Sequence, residues 1–143
     1  MGMDATVSPS ILTEEYIMNT KITTHHDGLG LNDLIEIIAE DHDVNGVPHK
    51  FFFEREFPGE EGADTVGFIQ FQKGPRNLSD STPGITTDAV LVVLIEMLKG
   101  FQNGPYSSPE TAEMLVKLEE CLAISKKRAQ DRAARGVLGH NAK

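Results

Sequence analysis

The stretch 108–136, SPETAEMLVKLEECLAISKKRAQDRAARG, decides the fold. Ser108 is a helix-capping residue. Pro109 suits the first helical position, where its missing N–H is not needed, and Glu110 complements the positive end of the helix dipole. Nothing interrupts the helical pattern before Gly136. The spacing therefore predicts one helix to Arg135, about 40 Å long at about 1.5 Å per residue. Leu115, Leu118, Leu122, Ser125 and Ala129 recur at steps of three and four. That narrow stripe matches the seam of a helical hairpin. A helix this long exceeds what a single domain of this size needs, and the excess predicts oligomerisation.

Working towards the N-terminus, the other arm of the hairpin is Ala89–Phe101, with Thr86 or Thr87 as its cap and Asp88 in its first turn. It is apolar nearly all round, broken by Glu96 and Lys99, and is expected to be buried on most faces. One helix and a small sheet cover little of it, so a second chain is expected to cover the rest. Gly74–Gly84, rich in Pro, Ser, Asn and Asp, reads as a loop. The front half reads as strands: Tyr16–Thr24, Leu31–Ala39, His49–Arg55 and Thr65–Gln72. Leu31–Ala39 suits a short helix or a strand, and its turn-like flanks favour the strand. Turns are expected at His25–Gly28 and Asp43–Gly46, and a solvated loop at Phe57–Asp64. The expected class is α+β: a small N-terminal antiparallel β-sheet (about 14–76) followed by a two-helix C-terminal hairpin (about 86–136). Together they form one domain over 1–143 that assembles as an oligomer.

Composition narrows the function. The chain of 143 residues carries 13 Lys+Arg against 22 Asp+Glu, a net charge of −9. A surplus of acid argues against a DNA or RNA binder, because phosphate affinity needs cations. The charge is uneven. Residues 1–66 hold 14 acids and 3 bases, whereas residues 67–143 hold 8 acids and 10 bases. Anionic ligands are therefore sought in the C-terminal half. The single cysteine, Cys121, excludes an internal disulfide and a C-x-x-C zinc site, and one free thiol fits a reducing cytoplasm. The first ten residues are polar and read as no secretory signal. The most apolar run, Ala89–Ile95, falls far short of the ~20 residues that cross a bilayer, so no membrane partner is expected.

Several groups of residues are candidates for chemistry. Phe71-Gln-Lys-Gly-Pro75 is echoed as Phe101-Gln-Asn-Gly-Pro105. Each copy offers an aromatic face, an amide and a bend, the parts of a base-stacking turn. From composition alone, two element-ending turns that anchor a Phe are the favoured reading. Arg128, Arg132 and Arg135 share one helix face and could clamp a diphosphate. A solvated face complementing the helix dipole competes with that reading and is favoured by spacing alone, and Asp131 beside them counts against an anion site. His25, His26, His42, His49 and His140 match no metal motif and read as surface side chains in acidic turns. Ser79, Ser81, Ser107 and Ser108 lie in no nucleophile elbow, Cys121 has no basic neighbour, and Glu119-Glu120 reads as a solvated pair. No catalytic residue, metal site or cofactor is expected, and the chain reads as no enzyme.

Taken in order, these segments resemble a known family. Phe71-Gln-x-Gly-Pro75, Gly84-Ile85-Thr86, Phe101-Gln-x-Gly-Pro105-Tyr106, Leu118-Glu119-Glu120, Arg128 to Asp131-Arg132, and Arg135-Gly136-Val137 with Gly139 occur in this sequence in phage proteins. Those proteins carry the helical hairpin shared by Thoeris anti-defence sponges and anti-CBASS cyclic-nucleotide sponges. Gly30-Leu31-Asn32-Asp33 and Gly46 with His49 add a resemblance to the Thoeris sponges in the front half. The likeness covers about 30–139.

The resemblance implies a protein that binds glycocyclic ADP-ribose immune signals without cleaving them, in the cytoplasm of the infected host, as a homo-oligomer (dimer or hexamer). By the same resemblance, Arg128 and Arg132 face the diphosphate and Phe101 walls the pocket. Thr111 stands where the family commonly has Asn, and Arg76 stands where relatives contact cyclic oligonucleotides. An alternative is a sponge mainly for cyclic di- or trinucleotides. Two further classes are an enzyme degrading such signals through the histidines and a metal, and a purely structural oligomer.

Overall fold

A computed structural model describes residues 19–136. The chain divides after Lys73 into two compact units, Met1–Lys73 and Gly74–Lys143. In the first, four strands form one antiparallel sheet in the order β1 (Asn19–Ile22), β2 (Ile35–Glu40), β3 (Lys50–Glu56), β4 (Ala63–Gln70). Period-two alternation sorts the side chains into two faces. Ala39 pairs with Phe51, which pairs with Ile69, while one residue along Ile38 pairs with Phe52 and Phe52 with Phe68. Ala39 is buried. Phe51 meets Phe71 edge-on at 5.8 Å on one face, and Phe52 lies 4.9 Å from Phe68 on the other.

Several strand boundaries differ from the sequence reading. Leu31–Ala39 is not one strand: Leu31–Leu34 forms a 3₁₀ turn, and β2 begins at Ile35. The cause is local. The Asp33 carboxylate accepts the amides of Asp27 (2.9 Å) and Gly28 (3.1 Å), which draws the chain into a turn before the ladder can start. Phe57–Asp64 is not wholly a loop either. Gly59 and Gly62 adopt positive φ and close the turn early enough for Ala63 to pair with Glu56. The strand expected to end at Gln72 ends at Gln70, although the Phe71 amide still donates to His49 O at 2.7 Å. Of the first expected strand, residues 16–18 lie outside the described residues, and Thr23 already belongs to the turn that His26 N closes.

The second unit is the helical hairpin, α1 (Thr87–Gln102) and α2 (Pro109–Ala134). Thr86, not Thr87, caps α1, accepting Ala89 N at 3.1 Å. Ser108 caps α2, accepting Thr111 N at 3.0 Å. Arg135 is the C-cap, and Gly136 takes φ 73° to end the helix. Along α2 the sheltered positions are Thr111, Leu115, Leu118, Leu122, Ser125, Ala129 and Arg132, the expected stripe extended by one step at each end. On α1 they include Asp88, Leu91, Ile95, Leu98 and Gln102. Two polar contacts fix the antiparallel register: Ser125 Oγ donates to Asp88 at the open end, and Gln102 Oε1 accepts Ser108 N (2.9 Å) at the loop end. The expectation that α1 is buried on most faces does not hold within this unit. Ile95 is buried, but Val93, Met97 and Phe101 are exposed, because a single neighbouring helix shelters only one side.

Candidate functional site

The last three turns of α2, with its C-cap, form a shallow groove of about 460 Å³ lined by Ile124, Lys127, Arg128, Asp131, Arg132 and Arg135. Helical spacing puts these side chains on one side of the helix. The three arginines differ in setting. Arg132 continues the sheltered stripe one step beyond Ala129 and is half-buried, whereas Arg128 and Arg135 are exposed. Lys127 Nζ meets Asp131 Oδ2 at 3.0 Å. The groove therefore carries four cations and one carboxylate. Guanidinium groups grip phosphate oxygens through paired charge-assisted hydrogen bonds, so this side of α2 is suited to a small di-anion.

The other residues singled out stand elsewhere. Phe101 is 46% exposed near the end of α1. Thr111 is in the first turn of α2, where its hydroxyl accepts Ser108 Oγ at 3.0 Å. That bond takes one of the hydroxyl's acceptor positions and leaves its proton to be donated. Both residues belong to the loop end of the hairpin, and the arginines to its open end. Seventeen residues separate Thr111 from Arg128 on one helix, about 25 Å at about 1.5 Å per residue. Within a single chain the hairpin does not bring them around one small ligand. Arg76 is exposed in the loop before α1, which Ser81 Oγ braces by donating to Pro75 O at 2.6 Å.

The two Phe-Gln-x-Gly-Pro copies are not equivalent in structure. Gly74 has φ 86°, and a Cβ placed on it would lie 2.6 Å from Ser81 Oγ, whereas Gly104 has ordinary φ and nothing closer than 3.8 Å. Lys73 in the first copy bonds Asp41 Oδ1 at 2.6 Å, a link between residues 32 apart that no local pattern announces. This ammonium holds the Asp41 carboxyl below the usual carboxylate range. The amides of Val47 and Asn45 do the same for Asp43, and those of Gly28 and Asp27 for Asp33.

His25 Nε2 and His26 Nε2 both bond Ile35 O, at 2.6 and 2.8 Å, and His49 Nδ1 bonds Val47 O at 2.8 Å. These imidazoles are engaged with backbone, and they and His42 are half-buried rather than on the surface. His140 lies outside the described residues. Among the described residues, no group of three or more His, Cys, Asp or Glu side chains is placed to hold a metal ion. Ser81 and Ser108 are both tied into local hydrogen bonds, and Cys121 is exposed. No helix among the described residues is long and apolar enough to cross a membrane.

Fold and groove together define an α+β protein whose helical hairpin presents a cationic face. No protein-family model matches the chain. A curated relative does: the chain is 32% identical over 81 residues to "Thoeris anti-defense 1" of Bacillus phage SBSphiJ7. The aligned part is 57% of this chain and 56% of that protein, so the chain spans a little over half the length of the relative it matches. The chain is thus similar to a Thoeris anti-defence protein, the family its ordered motifs resemble.

Proposed function

We propose that this protein is a phage anti-defence sponge that binds glycocyclic ADP-ribose signals and holds them uncleaved, so that Thoeris effectors in the host cytoplasm stay inactive. The observation that carries the reading is the groove of Arg128, Arg132 and Arg135 at the open end of the hairpin, in a chain similar to a Thoeris anti-defence protein. The diphosphate is met by Arg128 and Arg132, and the adenine by the face of Phe101. Thr111 donates one hydrogen bond.

Because Phe101 and Thr111 are about 25 Å from Arg128 along the hairpin, one ligand touches both sets only when two copies lie antiparallel, the loop end of one beside the open end of the other. The sponge is therefore a homo-oligomer, a dimer or a hexamer of dimers' making, with each site shared between two chains. Its exposed apolar side chains on α1, Val93 and Met97, support the same reading, since an unpartnered apolar helix face is the ordinary basis of association. Burial between subunits slows release, which sequestration requires. Arg76, exposed on its braced loop, favours a second and separate anion site for cyclic di- or trinucleotides.

The test is capture and release. Purified protein is mixed with glycocyclic ADP-ribose isomers and cyclic oligonucleotides, freed of unbound ligand, heat-denatured, and the released molecules are identified by chromatography. Intact glycocyclic ADP-ribose is expected. Fragments would mean an enzyme. Retention of cyclic oligonucleotides alone, lost in Arg76→Ala and kept in Arg128→Ala, would replace the first reading with the second.

A further inference from the structure

Asp131 is out of place twice. It stands in the last turn of α2, where a negative charge opposes the helix dipole, and it stands inside a groove otherwise lined with cations. Its bond to Lys127 does not account for it. The two side chains are 60% and 75% exposed, and an exposed pair four residues apart with the base on the N-terminal side adds little to a helix. A groove for phosphate alone would bind better without the carboxylate.

The donor and acceptor inventory points to what the carboxylate is for. Lysine and arginine donate hydrogen bonds and accept none, and isoleucine does neither. Five of the six side chains lining the groove therefore have no acceptor, and Asp131 supplies the groove's side-chain acceptors. A carboxylate has about four acceptor positions, of which the Lys127 ammonium occupies one. Phosphate oxygens need donors. Sugar hydroxyls need acceptors, and a carboxylate that takes the protons of a ribose diol is a recurrent way to read that sugar.

We infer that Asp131 is a specificity-determining residue that accepts hydrogen bonds from ribose hydroxyls. The cation groove thereby selects a ribosyl diphosphate over a plain polyphosphate. This rests on the nucleotide-binding reading of the same groove. Arg128 and its neighbours supply attraction for any small polyanion. Asp131 repels such anions and recovers the loss only when the ligand brings hydroxyls to it.

Calorimetry on the full chain with two probes, glycocyclic ADP-ribose and inorganic tripolyphosphate, tests the inference. In Asp131→Ala, affinity for glycocyclic ADP-ribose is expected to fall about 10-fold or more while affinity for tripolyphosphate rises several-fold. In Asp131→Asn, whose amide oxygen still accepts, the first loss is partly restored and the second gain is kept. A carboxylate acting only as charge would make both ligands bind more tightly, a structural role would weaken both, and an unchanged response to glycocyclic ADP-ribose would mean no contact. Each of these outcomes overturns the inference alone. Wild-type protein that holds neither probe would overturn the nucleotide reading, and the inference with it.

Discussion

Thr111 and Arg128 stand on the same helix seventeen residues apart, at opposite ends of the hairpin. Phe101 belongs with Thr111, because the Gln102 amide oxygen ties the end of α1 to Ser108 at the start of α2. In the proposed sponge these two groups meet around one ligand only between copies. This geometry makes the first prediction. Phe101→Ala and Arg128→Ala proteins are each expected to lose the high-affinity sites for glycocyclic ADP-ribose. Mixed and refolded together, they should regain about a quarter of the wild-type sites, since half of the two-fold pairs are mixed and each mixed pair has one intact site. Stoichiometry by calorimetry reads this directly. Zero recovery would place each site within one chain.

The Arg128 side chain makes no hydrogen bond or ion pair among the described residues, and it is exposed. Its replacement should therefore cost binding and not folding. Arg128→Ala is expected to weaken glycocyclic ADP-ribose by about 10- to 100-fold, which is about 1.4–2.8 kcal/mol, with the melting temperature unchanged. Arg128→Lys keeps the charge but loses the planar fork, so it should fall between. Titration at two salt concentrations would show a smaller salt dependence in Arg128→Ala. Equal salt dependence would remove Arg128 from the site.

The Asp88–Ser125 contact is the polar link in an otherwise apolar stretch of the seam. Ser125→Ala removes the donor and leaves the carboxylate half-sheltered, at a cost of about 1–3 kcal/mol. The cost should lie near the lower end, because the N-terminal dipole of α1 also stabilises Asp88. In a double-mutant cycle with Asp88→Ala the losses should not add. Additive losses measured by denaturant unfolding would mean the two side chains act independently.

Three carboxylates of the sheet unit carry lowered pKa values: Asp41 through Lys73, Asp43 through the Val47 and Asn45 amides, and Asp33 through the Gly28 and Asp27 amides. A group whose folded pKa is depressed contributes stability above its unfolded pKa, about 3.9, and loses it as pH falls through the lower folded value. These three contributions should therefore be fully present at neutral pH and decline below about pH 4. Lys73→Ala should lower stability at neutral pH and make the acid-induced fall shallower. Circular dichroism melts across this range decide it. A fall of unchanged steepness would show that the Asp41–Lys73 bond contributes nothing.

The two echoed glycines give an unequal pair. Gly74→Ala meets both a left-handed φ and Ser81 Oγ at 2.6 Å, and should cost about 1–3 kcal/mol. Gly104→Ala meets nothing closer than 3.8 Å and should change the melting temperature far less. Adding Ser81→Ala to Gly74→Ala should relieve the contact with Oγ, while the contact with Ser81 Cβ at 3.2 Å and the backbone strain remain and the bond to Pro75 O is lost. Equal tolerance at both glycines would deny the difference between the copies.

The hairpin was the most legible part of the chain. Ser108 with Pro109, the stripe from Leu115 to Ala129, and Gly136 all act through contacts three or four residues away or through a repeat of them. Such patterns are complete within a short window. The sheet was less so. Asp33 draws the chain into a turn by collecting two amides five and six residues back, and that competes with a strand pattern which Leu34, Ile35, Ile37 and Ile38 satisfy by themselves. In β4, two glycines placed the turn, and neither shows its φ in the sequence.

The candidate site divides in the same way. The sequence by itself placed Arg128, Arg132 and Arg135 on one side of a helix and supplied the caps that start and stop it, because helical geometry requires no partner. Only the tertiary structure decided that Arg132 is half-buried while Arg128 is exposed, that Lys73 holds Asp41, and that Phe101 joins Thr111 at the loop end of the hairpin. Those facts depend on how one helix returns along another and how a strand end meets a loop 32 residues away. Contacts of that kind follow from packing and leave no period in the chain.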